Sequence, residues 1–242
     1  MKKIIPLFLS LFLSLGLLAQ EKQKKEKPST PSPDFPGTLS IDYGLNYLNN
    51  NIHAMRTNPW RSATVNVYYF YPIKLGDSFV SANPGIGFGN EKLGFEDPYS
   101  FQDSAGFVSF KPIADLPRFA NLESVKRTQL IANYIDFNLE LRLHSRKEDF
   151  DRSWFIGLGG KIGVLIDGKT KIKYNESGRQ KIYKDKDHFY MNSFRYGLVA
   201  RIGYGPFNAW VYYSGSDLFR GNKLVNATNP RLWSFGISLA TF

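Results

Sequence analysis

From Leu39 onward, apolar and polar residues alternate with a period of two, the signature of strands with one apolar face. The stretch before His144 carries it most clearly: Ile131, Asn133, Ile135, Phe137, Leu139, Leu141 and Leu143 share one phase. Ala132, Tyr134, Asp136, Asn138, Glu140 and Arg142 share the other. The next stretch repeats it, with Trp154, Ile156, Leu158, Gly160, Ile162, Val164 and Ile166 set against Phe155, Gly157, Gly159, Lys161, Gly163, Leu165 and Asp167. The same reading predicts strands near 39–47, 65–73, 82–89, 190–202 and 208–216, and a last one carrying Trp233, Phe235, Ile237 and Leu239.

The connections alternate in length. Leu75–Ser78, Ser145–Arg152 and Tyr204–Phe207 are short, whereas Asn49–Arg61, Gly94–Arg127, Ile172–His188 and Ser216–Arg231 are long and polar. An even number of strands, short turns at one end, long loops at the other and abundant aromatics describe an outer-membrane barrel. The fold class expected is all-β: an eight-stranded antiparallel up-and-down transmembrane β-barrel with short periplasmic turns and long outer loops. Strands of about 9–11 residues suffice to cross a bilayer. A turn centred between Gly76 and Asp77 would set Tyr68 opposite Gly85 and Phe70 opposite Asn83. A soluble lipocalin-like barrel or sandwich shares the alternation but turns the apolar face inward, and periodicity does not decide which face is inside.

Composition supports strands: aromatics are 16% of residues and there are 21 Gly. A mean hydropathy of −0.30 suits such a barrel, because only alternate residues meet lipid. There is no Cys, which excludes disulfides, thiolate metal sites and a lipoprotein anchor.

The N-terminal stretch reads as an address. Lys2 and Lys3 precede an apolar run from Ile4 to Leu18, and Ala19-Gln20 opens onto a charged segment. That is the architecture of a cleaved secretory signal, shorter than a membrane-spanning helix. The organisation expected is a signal peptide over 1–19, a disordered periplasmic tail rich in Lys, Pro and Ser over 20–37, and the barrel over 38–242, placing the protein in the outer membrane of a Gram-negative bacterium.

The segment Lys126-Arg127-Thr128-Gln129-Leu130-Ile131-Ala132-Asn133-Tyr134-Ile135-Asp136, continuing to Glu140-Leu141-Arg142, resembles the PorT-type outer-membrane β-barrel domain. Gly159 to Asp167, Phe194-Arg195-Tyr196-Gly197, Arg201-Ile202-Gly203 and Phe235-Gly236-Ile237-Ser238 resemble the same domain, over about residues 38–242. The resemblance implies a barrel fold. Its namesake assists protein secretion across the outer membrane, and that role is what the resemblance implies for function. One departure stands out: Phe242 is out of phase with Trp233, Phe235, Ile237 and Leu239.

In the barrel reading Asp136, Glu140, Arg142, Lys161, Arg195 and Arg201 form an inward network of charges, with Asp136 expected across from Lys161. Buried charges must pair or be neutralised. A salt-bridge plug is favoured over a gated pore or proton path, because eight strands leave room only for side chains. Arg201 is expected beside Trp210, in reach of a cation–π contact. Enzymatic barrels need a His near a carboxylate or Ser at the outer rim, and the chain offers only His53, His144 and His188. No catalytic, cofactor-binding or metal-ligating residue is expected.

Lys169, Lys171 and Lys173 share one phase of a strand running past the bilayer, and Arg179, Lys181, Lys184 and Lys186 lie on its return. This basic hairpin suits contact with lipopolysaccharide phosphates (Lys169, Lys171, Lys173 and Lys181), or serves as a solvated edge that discourages strand pairing. The net charge of +10 does not point to nucleic acid, because the aromatics alternate for lipid instead of clustering as stacking platforms. The partners expected are outer-membrane lipid, lipopolysaccharide and envelope or secretion proteins. For the last of these the loop Gly94–Arg127, with Phe101, Phe107, Phe110 and Phe119, is the candidate surface, although those four Phe could equally pack the loop against itself.

Overall fold

The computed structural model describes residues 37–49, 55–104, 106–116, 119, 122–150, 152–221, 223–224 and 229–241. The leader over 1–19, the tail up to residue 36, His53 and Phe242 lie outside the described residues. The strands are β1 (Thr38–Asn49), β2 (Ala63–Phe70), β3 (Ile73–Lys74), β4 (Val80–Phe95), β5 (Tyr99–Ser104), β6 (Phe107–Pro112), β7 (Ser124–His144), β8 (Trp154–Glu176), β9 (Arg179–Asp185), β10 (Phe194–Tyr204), β11 (Phe207–Ser214) and β12 (Arg231–Thr241).

Eight of these close a ring in the order β1-β2-β4-β7-β8-β10-β11-β12. Each is antiparallel to its neighbours, and β12 returns to β1 through a register running from Leu39↔Thr241 to Asn49↔Arg231. Closure leaves the ring without the free backbone edges of an open sheet.

The two phases of each strand fall on opposite sides of the wall, and their polarity is the reverse of a soluble protein. On the outside Leu139, Ile162, Leu198 and Ile237 are 56%, 59%, 61% and 69% exposed, while Asp136, Glu140 and Lys161 are 0%, 1% and 4% exposed inside. A soluble barrel would bury the first set and hydrate the second. The lipocalin-like alternative therefore fails on the very point that periodicity left open.

Inside, large rings lie over glycines. Phe70 pairs with Gly85 and Tyr68 with Gly87, two positions from the expected partners, Asn83 for Phe70 and Gly85 for Tyr68. The turn is centred one residue later than expected: Leu75 and Val80 close it, and Gly76 (φ +61°) takes its first corner instead of its middle. A shift of two keeps every side chain on its own side of the wall. A Cβ on Gly85 would come within 2.5 Å of the Phe70 ring, and one on Gly87 would collide with the Val67 carbonyl. Gly87→Ala is accordingly expected to destabilise the fold by about 1–3 kcal/mol through overpacking, read as a lower urea midpoint of unfolding from lipid vesicles.

Other boundaries differ from the sequence reading. Strand β10 begins at Phe194, because Phe189 and Tyr190 adopt positive φ in a turn, so Tyr190 is not a wall residue. The stretch 94–127 is no plain loop: β4 and β7 extend into it, and β5 and β6 form a hairpin of their own. Strands β7 and β8 continue past the ring and, with β9, build a three-stranded sheet. Where they leave the ring, the register slips at Asn133/Tyr134, so that Ile166 is an extra residue in β8.

Candidate functional site

Two arginines of β10 organise the lumen. Arg195 donates to Asp136 through Nε at 3.0 Å and Nη2 at 2.6 Å, and its Nη1 pairs with Glu91 of β4. Tyr68 donates to the same Asp136 at 2.8 Å, and the Arg195 guanidinium lies 3.7 Å from the Tyr134 ring centroid. Lower down, Arg201 grips Asp42 with both Nη atoms at 3.1 and 3.0 Å, and reaches Glu140 at 3.3 Å and Asn208 at 2.6 Å. Arg142 joins through Glu140 at 2.8 Å, its guanidinium 5.0 Å from both the Phe70 and the Phe155 ring. Between the two levels, the Lys161 ammonium sits 3.6 Å over the Tyr212 ring. Four carboxylates (Asp42, Glu91, Asp136, Glu140) are thus paired with three arginines (Arg142, Arg195, Arg201), while Lys161 rests on the Tyr212 ring without a direct ion pair among the described residues. Bidentate arginine geometry is what such burial requires, since an unpaired charge here would cost several kcal/mol.

The details differ from the expected pairing. Asn138, not Asp136, lies opposite Lys161, and Asp136 is taken by Arg195. Arg201 is beside Trp210 in register, but the ring it approaches is Phe70, at 5.9 Å. Asp42 and Glu91 were missed by the sequence reading. Asp42 already alternated with Ile41 and Tyr43, and Glu91 lies beyond the expected end of its strand.

At the long-loop end the lumen is closed by an apolar cap. Met55, Val108, Met191 and Phe219 are fully buried there, with Phe95 and Phe101 beside them. The β5–β6 hairpin supplies its centre: Phe101 lies 4.7 Å from Phe110 and 5.3 Å from Phe219. The backbone ties the hairpin down, Val108 N–H donating to the Lys223 carbonyl. Of the four Phe read as a candidate binding surface, Phe101 and Phe119 are therefore interior and Phe110 packs against the core. Phe107 alone of the four is exposed, with the Lys223 ammonium 5.0 Å from its ring.

The sequence matches the family model described as outer membrane protein beta-barrel domain over residues 19–220, well over half of the chain. The chain belongs to this outer-membrane β-barrel family. No curated protein matches it in sequence. Among solved structures, Ail, the attachment invasion locus protein of Yersinia pestis, in complex with the heparin analogue sucrose octasulfate, is 14% identical, covering 85% of this chain and 97% of its own, at a TM-score of 0.37. Neisserial surface protein A (NspA) is 8% identical, covering 85% and 96%, at 0.41.

Outer-membrane barrels turn their short connections to the periplasm and their long loops to the exterior. The periplasmic mouth holds a cavity of about 320 Å³, lined among others by Ser40, Asn83, Arg142, His144 and Phe155. Histidine 144 is held there between Ser81 (2.9 Å) and Ser153 (3.1 Å) and stacks on Phe150 at 3.9 Å. His188 is exposed after β9. Among the described residues, no group of three or more His, Asp or Glu side chains is arranged to hold a metal ion.

On the outer extension, Lys169, Lys171 and Lys173 point to the same side as the lipid-facing wall. Lys181 does not: it pairs in register with Tyr174 on the opposite face and is tied to Glu176 at 2.5 Å, a contact that raises its pKa. The turn at Ser177-Gly178 matches Glu176 with Arg179, which brings Ile182 and Lys184, not Lys181, into phase with Lys173 and Lys171.

Proposed function

We propose that this protein is a non-enzymatic, non-conducting barrel that displays a pre-folded exterior platform to another component of the cell envelope, with assistance to protein secretion as its specific role. The carrying observation is the double closure of the lumen, by ion pairs across its middle and by the apolar cap above them. A solute would have to break bidentate arginine pairs and then unseat Met191 and Phe219, which argues against a passive pore. The cap also packs the described loop residues Met55, Phe101, Val108, Met191 and Phe219 together, so a partner meeting this part of the exterior would spend little ordering entropy.

The expected result in planar bilayers is an absence of single-channel steps from folded protein; regular unit conductance would overturn the closed-scaffold reading. Secretion is tested separately: deleting the gene should reduce export of proteins that cross the outer membrane, and normal secretion in the deletion strain would remove that role. For the rival reading as a surface hydrolase or acyltransferase, His53→Ala with His188→Ala is expected to leave lipid profiles and proteolysis unchanged. Removal of the leader on export is checked by intact mass, the outer-membrane form beginning at Gln20 or Glu21.

A further inference from the structure

The outward surface changes character abruptly above the last apolar row. Phe88, Ile135, Val164 and Phe194 are in register across β4, β7, β8 and β10. The row above is Asn90, Asn133 and Asp167, joined by hydrogen bonds of 2.5 Å from Asn90 to Asn133 and 3.0 Å from Asn133 to Asp167. This ladder ends on Lys169, which donates to Asp167 at 2.9 Å. Amide side chains that satisfy one another in a line mark the level at which the wall leaves hydrocarbon.

Directly above lie cations. The next rows outward read Lys92, Ile131 and Lys169, then Gly94, Gln129, Lys171 and Lys184, then Arg127, Lys173 and Ile182. That places six cations on one side of the sheet, and the rows' single carboxylate is Asp167, already held by Lys169. Among the described residues, Lys92, Arg127, Lys171, Lys173 and Lys184 form no ion pair.

The bulge produces this arrangement. In β8 the lipid-facing positions are even-numbered up to Val164. Without the extra residue Ile166, Lys169, Lys171 and Lys173 would continue the inward phase. The slip moves them onto the outward side, in line with the wall below, while Ile172, Tyr174 and Tyr183 turn the other way to pack on Ile113 and Phe119. A bulge is a device for re-aiming side chains, and here it aims them over the lipid surface.

We infer that this face binds the phosphate groups on the headgroup of an outer-leaflet glycolipid, the lipid A moiety of lipopolysaccharide, whose acyl chains lie against the apolar rows below. Charge complementarity and height above the acyl-facing rows favour that occupant over a protein, since an anionic headgroup next to an acyl layer is what cations at this level meet. The inference does not depend on the scaffold reading: a pore or an enzyme could carry the same face.

The test uses the full-length barrel folded in detergent with bisphosphorylated lipid A, with dephosphorylated lipid A, or with millimolar inorganic phosphate. The face variant carries Lys169→Gln, Lys171→Gln, Lys173→Gln and Lys184→Gln. A control removes as many charges elsewhere, through Lys74→Gln, Lys147→Gln, Arg179→Gln and Lys181→Gln. Heat-modifiable gel migration verifies that both are folded; if the four-site variant fails to fold, Lys171→Gln with Lys184→Gln replaces it. Bisphosphorylated lipid A is expected to remain bound to wild type and control and to bind the face variant at least about tenfold less, while dephosphorylated lipid binds all three weakly. Equal binding by the face variant, equal binding of the dephosphorylated lipid, or displacement of lipid A by inorganic phosphate would each overturn it.

Discussion

Replacing Arg195 by Met is expected to destabilise the barrel by about 3–5 kcal/mol, because it strands Glu91 and Asp136 as uncompensated buried carboxylates. The loss should appear as a lower urea midpoint for unfolding from phosphatidylcholine vesicles, followed by tryptophan fluorescence. The matching expectation concerns repair. Adding Glu91→Gln and Asp136→Asn to Arg195→Met removes the unpaired charges along with their partner, and most of the lost stability should return. If Arg195→Met alone were neutral, the lumen would be wet enough to solvate bare carboxylates, and its closure by ion pairs would be wrong.

Leu139→Arg is expected to cost about 2–4 kcal/mol in the same assay, the depth-dependent cost of a cation on the lipid face near the bilayer middle. Leu139 lies midway along the exposed apolar rows of β7, from Ile135 to Leu143, and is itself 56% exposed, so the longer side chain has open space to enter. Packing therefore predicts little effect, and the whole cost comes from what lies outside the wall. A stability unchanged by this substitution would mean that water, not acyl chains, meets the surface.

The strands and their phases were legible in the sequence because side-chain direction has a period of two and the wall separates two solvents of opposite polarity. Registers were less legible. A turn such as 75–80 can centre on either side of Gly76, and shifts of two leave the hydrophobic pattern unchanged. That ambiguity misplaced Phe70 relative to Gly85, and the same kind of shift misplaced Asp136 relative to Lys161. The β5–β6 hairpin escaped notice because strands of six residues show too few alternations to separate them from a polar loop. Whether its Phe residues bind a partner or pack inward was open in the sequence because the cap they fill is assembled from distant segments, such as Met191 and Phe219. Which lysine of the return strand shares the face of Lys171 and Lys173 was not legible either, since the hairpin turn, not the spacing of lysines, sets which residues oppose each other, and it selects Lys184 over Lys181. Nor does simple counting show the bulge at Ile166, where alternation is interrupted for a single residue.

The seam between β1 and β12 joins parts of the chain almost as far apart as it allows, with Ser40 and Ser238, 198 positions distant, sharing a hydrogen bond of 2.8 Å. Such contacts repay their loop-closure entropy only after the intervening hairpins have formed, so this junction is the last to zip during insertion. A chain stopped before Arg231 would not give a narrower cylinder. It would give an open sheet whose two bare margins have no partner but each other's counterpart on a neighbouring molecule.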